Sequence, residues 1–502
     1  MFKVDVGMNK RGFDNDLYLK KQSEMIMKRI GEFGGKLYLE LGGKLFDDYH
    51  ASRVLPGFEP DTKLQMLKQL ADDVEVVIVI NASDIESNKI RRDLGISYDA
   101  DVLRLIDAYT GAGLYVGSVV LTQFANQPSA VAFKSKLEAL GVKVFVHYPI
   151  EGYPYNVSLI VSDDGFGKND YIETSRRLII VTAPGPGSGK LATCLSQLYH
   201  ENKRSIKAGY AKYETFPIWN IPLKHPINLA YEAATADLND VNMIDPYHLE
   251  AYGVTTVNYN RDVEAFPVLN AIFEKIDGSS PYRSPTDMGV NMAGYGICDD
   301  EVCKKASKDE IIRRYYAAMV DVKQGRGKQT AVEKIVSLMN QAGISVDDRK
   351  VVAAALNRSE MTGGLPAVAI ELPDGRILTG KTSSLLGASS AALLNSAKAV
   401  ANLPEDLLMI APSIIEPIQR LKVNVLKNRS PLLHLDETLI ALSMSANTNP
   451  VAKKALEAID KLKGCEAHST VILSQVDVDV FRKLGINLTC EPVYQTKRLY
   501  HK

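Results

Sequence analysis

The chain has 502 residues, 46% of them hydrophobic and 24% charged, a globular composition too long for one ordinary core. Its 59 Lys and Arg against 60 Asp and Glu leave a net charge of −1. That balance argues against broad electrostatic binding to nucleic acid or to an anionic membrane. The first ten residues lack a signal-peptide pattern, and no apolar run reaches the roughly 18 residues that a membrane span needs. The longest candidate, 385–415, is broken by Asn395, Lys398, Asn402, Glu405 and Asp406. Five cysteines without a C-x-x-C pair fit reduced thiols in a cytoplasmic protein. Cys298 and Cys303 have no histidine near enough in sequence to complete a zinc site.

Apolar runs alternate with helix-period segments through the first two hundred residues. A helix over 17–33 precedes a strand at 36–41. Strands follow at 74–80, 115–122, 142–148 and 178–182, with a helix over 130–140 between the third and fourth. The runs are continuously apolar rather than alternating, as in parallel sheets covered on both faces. This order predicts a Rossmann-like, doubly wound α/β domain over 1–280, whose ligands would collect outside the carboxyl ends of the strands.

Loops after those strands are the places to look for chemistry. The first offers Gly42, Gly43, Lys44, His50 and Arg53; the second Asn81, Ser83 and Asp84; the fourth His147 and Glu151. Such residues also dominate ordinary turns. The fifth strand runs into APGPGSGK at 183–190 and then a helical segment, the strand–loop–helix order of a phosphate cradle. Gly185, Gly187, Ser188 and Gly189 would present backbone amides, and Lys190 a positive charge. The fit to G-x-x-x-x-G-K-[ST] is partial. Pro184 occupies the first glycine position, and Leu191 stands where a hydroxyl would hold Mg²⁺, with Thr193 nearly a turn further on. A tight turn that binds nothing is the alternative. The six residues 185–190 are similar to the loop of adenylate-kinase-type enzymes.

Pro217, Pro222 and Pro226 exclude a regular helix or central strand through a segment that carries the single tryptophan, Trp219, beside Lys224 and His225. A helix over 227–237 leads to Asp237, Asp240 and Asp245, which could hold a divalent cation opposite a phosphate loop or serve as caps and turns. A β-like stretch at 252–261 and a helix over 263–276 follow. Gly, Pro and Ser crowd 280–300, which reads as a linker or as a ligand-closing loop. Ser307 and Glu310 form a capping box that predicts a helix over 309–322, with further helices at 330–342 and 347–357. Residues 281–360 are therefore expected to be a linker and helical connector.

The remainder, 361–502, reads as a second, smaller α/β domain. Strands at 367–372 and 377–380 flank Asp374-Gly375, a strong hairpin signal. A helix over 389–401, a helix over 450–462 and a strand at 471–474 complete an order like that of a three-layer deaminase core. The zinc motif of that class is absent, with Gly387-Ala-Ser-Ser390 at the corresponding helix start.

Three stretches together, GKLYLELGGKLFDDYHASRVLPGFEP at 35–60, the loop at 185–190 and FPIWNIPLKHPINLAY at 216–231, resemble a bacterial family classed as a domain of unknown function in the uncharacterised-protein-family series. The resemblance spans nearly the whole chain. It implies a cytoplasmic bacterial protein with a Rossmann-like N-terminal region, a helical part and a C-terminal α/β subdomain, and it supplies no activity. The expected function is binding of a nucleotide or phosphorylated small molecule at 185–190, with ATP or another nucleotide and Mg²⁺ as the candidate cofactor. An enzyme on this plan would be a transferase or hydrolase acting by phosphoryl or nucleotidyl transfer, with His50 or His225 as acid or base. The alternative is a non-catalytic, ligand-binding protein that self-associates as a homo-oligomer through its C-terminal domain. A dehydrogenase is disfavoured, because no G-x-G-x-x-G follows the first strand.

Overall fold

The computed structural model describes residues 11–42, 48–91 and 94–496; Gly43 and Lys44 fall outside these. Two compact units divide the chain. One contains Arg11–Glu232 and Asp240–Ser307, the other Ala233–Asn239 and Lys308–Lys502.

Seven strands build the main sheet of the first unit: β1 Leu37–Leu41, β2 Val74–Asn81, β3 Tyr115–Thr122, β4 Val144–Val146, β5 Leu178–Thr182, β6 Gly209–Tyr213 and β7 Gly289–Val290. They form one parallel sheet in the order β7-β6-β1-β5-β2-β3-β4. The unbroken apolar runs supply both of its faces, because successive side chains point to opposite sides. Val76, Ile78, Ile80, Leu178 and Ile180 enter one core; Val77, Val79, Ile179 and Val181 enter the other. Each such side chain contributes roughly 1.5–3 kcal/mol when fully buried.

Helices cover both faces. Among them α1 Asn15–Glu32 is capped by Asp14, whose carboxylate accepts the Leu17 N–H at 3.1 Å, and it buries Tyr18, Leu19, Ile26 and Ile30 along one side. Helix α2, Lys190–Lys203, starts directly after the glycine-rich turn, and α3, Asn260–Asp277, packs into the same core through Phe266, Leu269, Ile272 and Phe273. Among the described residues no helix is long and apolar enough to cross a membrane.

Strand β6 is not expected from the sequence, and two further elements of this unit differ from expectation. The stretch 280–300, compositionally a linker, contains edge strand β7, which pairs with β6 through Gly289 and Val290. The helix expected to start at the Ser307 box instead spans Asp300–Lys323, leaving Ser307 buried inside it with its hydroxyl donating to the Val54 carbonyl at 3.4 Å. A capping pattern is a local signal, and here the helix continues through it because the serine finds another acceptor.

The second unit is a four-stranded mixed sheet: β8 Ala367–Glu371, β9 Ile377–Lys381, β10 Glu466–Ser469 and β11 Asn487–Cys490, in the order β9-β8-β10-β11. Strand β8 is antiparallel to both neighbours, and β10 and β11 are parallel. The hairpin turns at Gly375, whose φ of 82° is left-handed. The strand expected at 471–474 is absent. Ser474 is instead the N-cap of helix Gln475–Lys483, and the strand lies just before it, at β10. Arg349 ties this sheet together: it pairs with Glu466 and donates to the carbonyls of Ala467 and Asn487, both at 2.8 Å. Burial pushes the Glu466 carboxyl up, but Arg313 and Arg349 outweigh it and hold the group below the ordinary glutamate range.

Candidate functional site

The chain winds outward through β2, β3 and β4, then returns to lay β5 on the other side of β2. The connections of these two neighbours leave in opposite directions, which opens a crevice at their carboxyl ends where ligands of doubly wound sheets bind. The glycine-rich turn fills the β5 side of this crevice. Asn81, the last residue of β2, donates to the Gly187 carbonyl at 3.3 Å, and Thr122, the last of β3, donates to the Ser188 carbonyl at 2.7 Å. The Ser188 hydroxyl closes the turn on the Gly185 carbonyl at 2.7 Å. Gly187 and Gly189 have left-handed φ values of 77° and 89°. A Cβ at Gly189 would lie 3.0 Å from Thr122.

The carbonyls of the turn are thus occupied while its amides are not. Among the described residues, no acceptor meets the backbone N–H of Gly187, Ser188, Gly189, Lys190, Leu191 or Ala192. These donors open the 14-residue helix α2, whose macrodipole adds positive potential at the same end. The half-buried Lys190 has no carboxylate within ion-pair distance among the described residues. The turn therefore offers amides and one ammonium to an anion.

A second group of charges lies on the same edge. Lys212 of β6 and Glu40 of β1 are register partners, and Glu40 is in turn partnered with Val181 of β5. Adjacent strands lie about 4.8 Å apart, so Lys212 is roughly 10 Å from the strand that feeds the turn. Lys212 pairs with Glu214 at 2.8 Å, with Asp262 at the start of α3, and with the Tyr259 hydroxyl. Tyr210 donates to Glu40 at 2.8 Å. Burial pushes Glu214 up to about 7 against the opposing pull of Lys212. The Lys212 ammonium is held well above its ordinary value because the neighbouring Asp262 and Glu214 outweigh its desolvation. A fixed cation thus stands beside a carboxyl group that exchanges its proton near neutral pH, a pattern enriched at functional sites.

Sequence reasoning passed over Lys212, Glu214 and Asp262. The available signal was the run 209–214, Gly-Tyr-Ala-Lys-Tyr-Glu, in which charges at alternate positions fall on one face of a strand that is otherwise buried. The expected histidines have other settings. His50, on the short helix Tyr49–Val54, packs its ring against Phe216 at 5.2 Å and Tyr231 at 6.2 Å. His225 bonds Asp300 through Nε2 at 2.9 Å and accepts the Ile227 N–H on Nδ1 at 3.2 Å, which fixes the start of helix Pro226–Ala234. Arg53 is half-buried in the last turn of His50's helix. The Gly42 carbonyl accepts from Lys63, which also pairs with Asp48 at 3.0 Å.

The three aspartates have separate settings. Asp240 pairs with Arg261 at 2.6 Å. Asp245 caps helix Pro246–Tyr252 and accepts from the Thr286 hydroxyl at 2.6 Å, while Asp237 lies on the turn Ala236–Leu238. Among the described residues no three His, Cys, Asp or Glu side chains are grouped to hold a metal ion.

Two family models together cover almost the whole chain: "Domain of unknown function DUF1846, N-terminal" matches residues 11–343, and its C-terminal counterpart matches 347–500. Among curated relatives, a UPF0371 protein of Streptococcus thermophilus is 58% identical over 495 residues, covering 99% of this chain and all of the relative. A UPF0371 protein of Streptococcus pneumoniae is 57% identical with the same coverage. The chain belongs to the DUF1846 family.

Proposed function

We propose that this protein binds a phosphorylated small molecule or nucleotide at the carboxyl edge of its seven-stranded sheet, with the phosphate on the turn at 185–190. The observation that carries this reading is the row of amides from Gly187 to Ala192 that meet no acceptor among the described residues, beside the Lys190 ammonium, which meets no carboxylate among them. The N–H groups that open a helix have no acceptor within it, so a run of them facing one turn is a ready place for an anion to replace water. Its position at the strand-order switch agrees with where this class of fold holds ligands.

The reading extends to chemistry through Glu214. Beside Lys212, its proton equilibrium is suited to general acid–base exchange with a bound substrate, which would make the protein a transferase or hydrolase of phosphorylated compounds. The test is calorimetric binding and turnover of nucleotides and sugar phosphates by the full chain. Lys190→Ala should lower affinity at least about tenfold with the fold unchanged, since a charge-assisted contact contributes about 1.5–3 kcal/mol. Equal affinity in the variant and the parent chain would refute the site. Glu214→Gln should abolish turnover and spare binding; binding without turnover in the parent chain would leave a receptor for the ligand and no catalyst.

A further inference from the structure

Beside the turn, on the β3–β4 side, lies a small, partly open cleft with a cavity volume of about 40 Å³. Gly189 and Ala192 form the wall it shares with the acceptor-free amides, so a group bound here is within a few bonds of a phosphate on the turn. Its other walls are the rings of Tyr148, Tyr153 and Phe166 and the side chain of Ile150. Among the described residues no Asp, Glu, Lys or Arg lines it. An apolar, ring-walled slot without charge suits a flat, neutral heterocycle.

Thr122 and Asn169 also line the cleft, but Thr122 is committed to Ser188 and Asn169 to Tyr148 and Ser196; two further polar groups give it an edge to recognise. His147 lines it from the end of β4, with its backbone pinned between Leu121 and Phe124. Its Nε2–H donates to the Asp170 carbonyl at 3.2 Å, which leaves Nδ1 as an acceptor. Burial pushes this imidazole down to about 4, so it is neutral at physiological pH. Gln123, which also lines the cleft, is held in the left-handed region at φ 52° directly after β3. Its side-chain carboxamide makes no hydrogen bond among the described residues and can both donate and accept. A non-glycine residue held in that conformation costs of order 1–3 kcal/mol, and such strain concentrates at ligand sites.

We propose that this cleft receives the base of a nucleoside phosphate whose phosphate rests on the amides of Gly187 to Ala192, with Gln123 and His147 reading the edge of the base. The proposal rests on the phosphate reading above and narrows the ligand class from phosphorylated compounds in general to nucleotides. A sugar phosphate would leave the ring-walled slot empty; a base would fill it.

The experiment titrates the full chain calorimetrically with the four common nucleoside 5′-monophosphates, ribose 5-phosphate and inorganic phosphate. At least one monophosphate should bind about tenfold or more tightly than ribose 5-phosphate, since stacking on aromatic walls contributes about 1–3 kcal/mol per base. Ala192→Phe, which fills the slot, should bring that nucleotide down to the affinity of ribose 5-phosphate. Gln123→Ala, on an exposed side chain, should weaken the preferred nucleotide several-fold and leave ribose 5-phosphate unchanged. Ribose 5-phosphate bound as tightly as every nucleotide would overturn the base site and leave the phosphate site standing. Failure of every phosphorylated ligand to bind would overturn both. A nucleotide preference that survives both Ala192→Phe and Gln123→Ala would place the base elsewhere and overturn this assignment alone.

Discussion

Glu214→Gln isolates the energetics of the charged group at the sheet edge, because it keeps the shape of the side chain and removes its titration. Glu214 is 6% exposed, and burial lifts its carboxyl from the ordinary 4.5 to about 7. With the folded value above the unfolded one, the native state binds more protons between the two. The stability from this group is fully present below about pH 4.5 and is lost as pH rises through about 7. That displacement corresponds to about 3 kcal/mol. The glutamine variant lacks that slope, so the stability of the parent chain relative to the variant should fall by about 3 kcal/mol between about pH 4.5 and 8. Urea unfolding followed by the fluorescence of the single tryptophan reports on the correct unit, since Trp219 lies in it. A Cβ on Gly289 would meet both the Trp219 ring at 2.6 Å and Glu214 Oε2 at 3.2 Å, so the ring and the carboxyl are close neighbours. Native fluorescence should therefore titrate near pH 7 in the parent chain and stay flat in the variant. A stability difference constant to within about 0.5 kcal/mol across that range would refute the assignment of the proton to Glu214.

Gly189→Ala should cost about 2 kcal/mol in urea unfolding, from left-handed strain plus the 3.0 Å approach to Thr122, and should abolish phosphate binding; a neutral change would show that the turn is not held as described. Arg349→Ala should lower the stability of the second unit by about 2–3 kcal/mol, because the half-buried Glu466 and the carbonyls of Ala467 and Asn487 lose a charged donor, while ligand affinity in the first unit is unchanged; a loss under about 1 kcal/mol would contradict the pairing. Binding of a phosphorylated ligand should be insensitive to chelation of divalent cations, since Leu191 offers no hydroxyl and Asp240 and Asp245 are committed to Arg261 and Thr286. A tenfold or greater dependence on Mg²⁺, worth about 1.4 kcal/mol, would refute that account of the charge balance.

Elements whose signal is local are legible in the sequence alone. Val74–Asn81, Tyr115–Thr122 and Leu178–Thr182 are long apolar runs, and each is a strand within a residue of its expected bounds. The hairpin around Asp374-Gly375 is fixed by its turn chemistry and came out equally well. What escaped depends on neighbours far along the chain. Strand β6 carries Lys212, which a hydrophobicity pattern rejects, and it is tolerable inside a core only because Asp262 and Tyr259, some fifty positions away, neutralise and solvate it. Strand β7 has two residues and lies in a composition typical of linkers; its edge pairing to β6 makes it a strand. Ser307 shows the converse, a strong local signal that a buried acceptor, the Val54 carbonyl, cancels.

The same distinction separates the two halves of the candidate site. A phosphate turn is written in consecutive residues, so Gly187, Gly189 and Lys190 stood out despite Pro184 and Leu191. The departures from the template are informative in the folded chain. Pro184 has no N–H to offer, and it sits before the donors, which begin at Gly187. Leu191 removes a metal-holding hydroxyl but keeps its own backbone N–H in the row. The template residues that are lost concern the cation, and those that are kept concern the anion. The charged group around Lys212 is assembled from three separate segments, β1, β6 and the strand-to-helix junction at Tyr259–Asp262, and no spacing in the sequence joins them. Only the sheet order does, because it seats β1 between β5 and β6 and so brings Glu40, Lys212 and the turn onto one edge.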